Sequence, residues 1–195
     1  MKIFNKKTLG LAAIALALPM TVMAASTTIE ATASFREAIT LGGEVDMAFG
    51  QVDYSGTPGA GDTVTMDLSG NLTSAGNFTG AATGTAGSVD IQTGTDGLTI
   101  EVQCDTTATL TDAAGSESIQ VNNISVGTID NLGSPSACAG TGSAAMTFAL
   151  SAGTNDTLKL GGVLDGNTAS AGFGGGAYST ANTSGDNIEV VVIYQ

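Results

Sequence analysis

The sequence predicts an all-β protein, an antiparallel β-sandwich of about nine or ten short strands. Three observations carry that expectation. Aliphatic residues alternate with polar ones at a period of two in many brief segments, the pattern of half-buried strands. Gly, Pro, Asn and Asp clusters punctuate those segments at short intervals. After the first two dozen residues, nothing carries the helical period over three turns. The interior must be aliphatic, because the 195 residues include six Phe, three Tyr and no Trp.

The chain opens on a secretory leader. Lys2, Lys6 and Lys7 form a basic region, and Leu9 to Leu18 is an apolar run too short for a bilayer span. Pro19 stops a helix, and Val22-Met23-Ala24 places small residues where a signal peptidase reads, so cleavage is expected after Ala24, with Ala25 as the alternative. Residues 25–195 are then one exported domain, bound for the periplasm, the cell surface or the medium, with no membrane span. The leader takes three of five basic residues. Arg36 and Lys159 remain against 18 acidic residues, a net charge of −16. Such a chain repels phosphate backbones and anionic lipid, which excludes nucleic acid as a natural partner.

Taken in order, Ile29, Ala31, Ala33 and Phe35 alternate with Glu30, Thr32 and Ser34 and predict a first strand, continued after a bend at Ile39 to Leu41. Gly42-Gly43 breaks the run. Val45, Met47 and Phe49 predict a second strand, and Thr63 to Leu68 a third with Val64, Met66 and Leu68 inward. Gly70 to Gly87 reads as loop, with a short strand at Asn77 to Thr79. Ser88 to Gln92 and Leu98 to Cys104 predict a hairpin across Gly94 and Asp96-Gly97. Parity turns Cys104 inward beside Ile100 and Val102. Ala108 to Leu110 is a weak strand. Ile119 to Val126 is a better one, although Ile124 breaks its alternation. Gly127 to Gly142 is loop, Ala144 to Leu150 strand. Leu158 to Leu164 contains Gly161-Gly162, the mark of a bulge or a turn between two short strands. The glycine run Gly172 to Gly176 precedes a last strand whose Ile188, Val190, Val192 and Tyr194 share one face.

The chemistry inventory points away from catalysis. The chain has no His, so Ser-His-Asp and Cys-His hydrolase sites and His-ligated metals are excluded. Lys159 is better placed to pair with a surface acid than to form a Schiff base. Sugar-cleaving carboxylate pairs usually come with aromatic platforms, which are scarce here. Cys104 and Cys138 are too far apart for a CxxC redox pair, and two cysteines without His make no zinc site, so a structural disulfide is expected. Gly153 to Leu158 loosely resembles one calcium-binding nonapeptide unit, and Asp53, Asp62, Asp165 and Asp186 sit in turns. Asp occupies turns for its local hydrogen bonds in any case, and no cofactor or metal is expected.

Ordered short motifs identify a resemblance. Ala31-Thr32-Ala33, Met47-Ala48-Phe49-Gly50, Gly61-Asp62-Thr63-Val64-Thr65, Leu158 to Leu164, Ala177-Tyr178-Ser179 and Val190 to Tyr194 together resemble a family of secreted bacterial proteins, domain of unknown function forty-four-oh-two. The resemblance implies a signal peptide and an immunoglobulin-like or pilin-like sandwich, and no catalytic residues. The last strand is also similar to the closing strand of pilins assembled by periplasmic chaperones, though those carry an early cysteine. The resulting expectation is a non-enzymatic structural subunit of a fimbria or matrix, a homo-oligomer or filament, served by a periplasmic chaperone. Ile29, Ala31, Ala33 and Phe35 would be its strand-donating segment, and self-pairing of that segment is the competing expectation. The alternative is a module binding calcium or a glycan through the loops Ser74 to Gly87 and Gly172 to Gly176.

Overall fold

A computed structural model describes residues 30–151, 156–182 and 184–195. The expected leader, Ile29 and half of the calcium-like unit, Gly153 to Asn155, lie outside the described residues. The chain divides into residues 1–34 and a compact unit Phe35–Gln195. Of the first, residues 30–34 are described, all exposed and none in a strand.

The compact unit is all-β and antiparallel, as expected, but it holds thirteen strands rather than nine or ten. They are β1 (Thr40–Val45), β2 (Val52–Tyr54), β3 (Thr63–Met66), β4 (Leu72–Ala75), β5 (Phe78–Gly80), β6 (Gly87–Thr93), β7 (Thr99–Cys104), β8 (Ala108–Thr111), β9 (Ser118–Thr128), β10 (Ser136–Ala137), β11 (Met146–Ala149), β12 (Asp156–Asp165) and β13 (Val190–Tyr194). Two single 3₁₀ turns, Ile129–Asn131 and Gly166–Thr168, are the helical content of the described residues. Eight strands form one sheet, β11-β7-β13 a second, and β2-β5 a short ribbon. Side chains of both larger sheets meet in one core: Val64, Ile91, Val126 and Leu158 from the first pack with Ile100 and Val102 from the second.

β12 is the centre of the large sheet. One of its edges pairs with β6 over Asp156–Leu160 and then with β3 over Gly162–Asp165, while the other runs along β9. The glycine pair inside it makes no turn. A Cβ on Gly161 would lie 2.5 Å from the Met66 carbonyl oxygen, and one on Gly162 would lie 2.8 Å from a Val121 methyl carbon. Close approach of neighbouring strands therefore requires both glycines. A bulge does occur here, on the partner. Gly161 pairs with Ser125 and Val163 with Asn122, so β9 carries one extra residue. Asn123 absorbs it with φ 48° and points to solvent. That slip is why Ile119 and Val121 are buried and, out of step with them, so are Ile124 and Val126.

Several local expectations are corrected. Ala31 to Phe35 forms no strand, and the first strand is β1, which runs through Gly42-Gly43 instead of breaking there. Gly43 permits this by taking φ 64°. The segment Val45 to Phe49 is not a strand of its own: Val45 ends β1, paired with Ser88, and beyond it Ala48 makes a single bridge to Thr85. β6 and β7 form no hairpin, since β6 pairs with β1 and β12 while β7 pairs with β11 and β13. The link at Gly94 carries the chain from one sheet to the other.

Candidate functional site

Three features could carry function: the staple between the sheets, the seam along β1 and β13, and the pocket beneath the glycine run.

The staple is the expected disulfide. Cys104 ends β7 in the three-stranded sheet, and Cys138 follows β10 on the large sheet. Their sulfurs are bonded, with the Cα atoms 5.1 Å apart. The Cys138 amide donates to the Ile124 carbonyl (2.9 Å) and the Gly140 amide to the Cys104 carbonyl (3.0 Å). Inward parity for Cys104 holds, with Ile100, Val102 and Cys104 all fully buried. The bond is compatible with an exported compartment. Among the described residues no helix is long and apolar enough to cross a membrane.

The seam is a groove of about 630 Å³ between the β1 edge and the start of β13. Leu41, Val45 and Met47 line one side, Ile188 and Val190 the other, with Val89 and Leu110 also in its wall. β1 and β13 are both terminal strands of their sheets, each pairing with a single neighbour, β6 and β7 respectively. Ile188, Val190, Val192 and Tyr194 are half-buried on one face, as their spacing predicts, whereas Ile193 is 42 % exposed.

Tyr194 also clamps the root of the N-terminal arm. Its hydroxyl accepts from the Thr95 amide (2.6 Å) and donates to the Glu37 carbonyl (2.7 Å). The Arg36 guanidinium lies 5.6 Å from the centre of the Tyr194 ring, within cation–π range. Ahead of that clamp Phe35 is 91 % exposed, the most exposed large apolar residue described.

The glycine run forms one wall of a second pocket, of about 410 Å³, which shares Met47, Phe49, Leu110 and Tyr178 with the seam. Phe173 stacks on Tyr178 with ring centres 4.7 Å apart and meets Tyr54 edge-on at 5.6 Å. Glu117 ties the loop down, accepting from the Tyr178 hydroxyl (2.5 Å) and the Gly174 amide (3.0 Å). Burial, then the neighbouring Glu117 carboxylate, pushes the Tyr178 phenol up to about 12. Tyr54, Phe173 and Glu117 were not picked out by sequence reasoning. The flanking of three glycines by Phe173 and Tyr178 was the available signal.

The acids named as turn residues serve local structure. The buried Asp62 carboxylate accepts from the Gly59 amide (2.8 Å), the Asn77 amide (2.7 Å) and the Asn77 side chain (3.1 Å). The Asn77 amide hydrogen bond, above all, holds its pKa below the usual carboxylate range. Asp165 accepts from the Asn167 amide and the Asn122 side chain, and Asp53 from Gln51. The Asp186 amide donates to the Thr109 carbonyl. Among the described residues, no three His, Cys, Asp or Glu come together as a metal would need. The loop stretch Ser74 to Gly87 contains the end of β4 and all of β5, the latter one residue from the short strand expected at Asn77 to Thr79.

No protein-family model, curated protein or solved structure matches the chain.

Proposed function

We propose that the protein is a non-enzymatic structural subunit, exported and assembled into a fimbria-like or matrix polymer by strand addition. The observation that carries the reading is the pairing of an unfilled seam with an unpacked arm. The seam lies between two terminal strands, each with a free edge, and Leu41, Val45, Met47, Ile188 and Val190 line it together with Glu44, Asp46 and Asn187. The arm alternates Ala31, Ala33 and Phe35 with polar residues and is exposed throughout its described part. An added strand gains a ladder of main-chain hydrogen bonds at such an edge, and alternate side chains fill the groove. The arm from one copy entering the seam of the next makes a head-to-tail contact, which generates an open filament when the rotation does not close. The ordered motifs shared with the secreted bacterial family, and the pilin-like closing strand, support the same reading. A periplasmic chaperone would occupy the seam before assembly.

The test compares the secreted chain with a version lacking Ser26 to Phe35. Light scattering should find polymer for the first and monomer for the second, and added peptide spanning Ser26 to Phe35 should raise the melting temperature of the truncated form. Monomer in both cases, with one melting temperature regardless of peptide, removes strand addition.

A further inference from the structure

Five of the chain's nine aromatic residues converge on the smaller pocket: Phe49, Tyr54, Phe78, Phe173 and Tyr178. Phe49 and Phe78 are buried and form the floor, while Tyr54, Phe173 and Tyr178 are half-buried at the rim. No lining residue is charged, in a chain with 18 acidic residues. Its size falls within the range of sites for small organic molecules, roughly 300–1,000 Å³.

The three successive glycines in the wall have no internal explanation. None of Gly174, Gly175 and Gly176 has a positive φ. A Cβ on Gly175 would meet nothing within 4 Å, one on Gly176 only the Tyr178 ring at 4.0 Å, and one on Gly174 ordinary contacts from 3.5 Å. Neither backbone conformation nor packing of the empty protein demands glycine there. Their bare backbone leaves room for a molecule to lie against the loop.

Charge selects the class of molecule. Aromatic faces carry negative potential and attract cations. Glu117 backs the loop from outside the pocket. From residue 30 onward the only basic residues are Arg36 and Lys159, and neither lines the pocket. An anion would find no partner there and would meet the repulsive field of an acidic protein.

We propose that this pocket binds a small organic cation with an apolar body, of the quaternary-ammonium type, held against the rings of Tyr54, Phe173 and Tyr178. The inference stands apart from strand addition, because it needs neither the arm nor a second copy.

The experiment is a calorimetric titration of the secreted protein with benzyltrimethylammonium and with neopentylbenzene, which has the same shape without the charge. The expected result is saturable one-site binding of the cation, about tenfold tighter than the neutral isostere. Phe173→Leu keeps the apolar bulk and removes a ring, and should weaken the cation several-fold while leaving the isostere nearly unchanged. Gly175→Leu fills the mouth without touching the fold, and should abolish binding at an unchanged melting temperature. Absence of saturable binding overturns the proposal, as does equal affinity for the two probes or native-like binding by both variants. Displacement of the cation by the Ser26 to Phe35 peptide would assign the pocket to chain assembly and overturn it too.

Discussion

β12 and β13 are both rich in aliphatic residues, yet they occupy opposite situations. β12 is hydrogen-bonded along both edges, shares one of them between β6 and β3, and buries Leu158, Leu160 and Leu164. β13 is bonded along one edge, and none of its residues is fully buried. The difference teaches that aliphatic content sets the capacity to bury, while neighbours decide whether that capacity is used. The β9–β12 centre is finished within one chain. The β1–β13 seam mixes Leu41, Val45, Met47, Ile188 and Val190 with Glu44 and Asp46, and among the described residues no strand pairs with its two outer edges.

The sharpest way to break the contrast is to cut the tie between the halves. Replacing Cys104 and Cys138 by Ala opens a loop with a sequence separation of 34, and should cost about 4 kcal/mol on the chain-entropy model. Urea denaturation of native and double-Ala protein measures it. Because the bond joins β7 to the large sheet, amide exchange should loosen first in β7, β11 and β13.

Leu158→Ala attacks the finished centre. Leu158 is fully buried, so its truncation should cost about 3 kcal/mol in the same assay. Val190→Ala, in the seam wall, should cost markedly less in the free protein and more once a strand is bound.

Tyr194→Phe is smaller still. It deletes the hydroxyl bridging Thr95 and Glu37, at about 1 kcal/mol. Exchange at Glu37 and Ala38 should rise, since the arm loses its root, while the centre is unaffected.

The smallest effect is one of pH. Hydrogen bonds hold Asp62, Asp67 and Asp112 below the ordinary carboxylate value. A folded-state pKa below the unfolded value means that their stabilisation is present above the unfolded pKa and lost as pH falls through the folded one. Asp62→Asn should therefore lower the melting temperature at pH 7, and the gap to native should close below about pH 4.

How much of this was legible follows from where each feature is encoded. Inward facing of Val64, Met66 and Leu68, or of Ile100, Val102 and Cys104, is a matter of parity within one strand, and parity is visible locally. The same parity breaks at Ile124, and the structure explains the break by the extra residue at Asn123. Sheet membership is not local. Leu98 to Cys104 after Ser88 to Gln92 reads as a hairpin, yet the two strands lie in different sheets because their better partners are β1, β12, β11 and β13. β2 and β4 are so short that neither shows a full alternating period. Ile29 to Phe35 has an impeccable strand pattern, and its described part forms no strand, since a pattern states readiness to pair and a partner must supply the edge. At the pocket, the glycine run and Tyr178 were in view, while Tyr54 and Glu117 arrive from more than fifty residues away in sequence.

The account turns on the seam accepting an added strand, and backbone amide exchange reads that most directly. The protein lacking Ser26 to Phe35 would be followed residue by residue with and without the Ser26 to Phe35 peptide. Slowed exchange at the β13 amides facing away from β7, or at those on the outer edge of β1, with the β9–β12 centre unchanged, is the predicted result. Identical exchange along both edges at saturating peptide would contradict it.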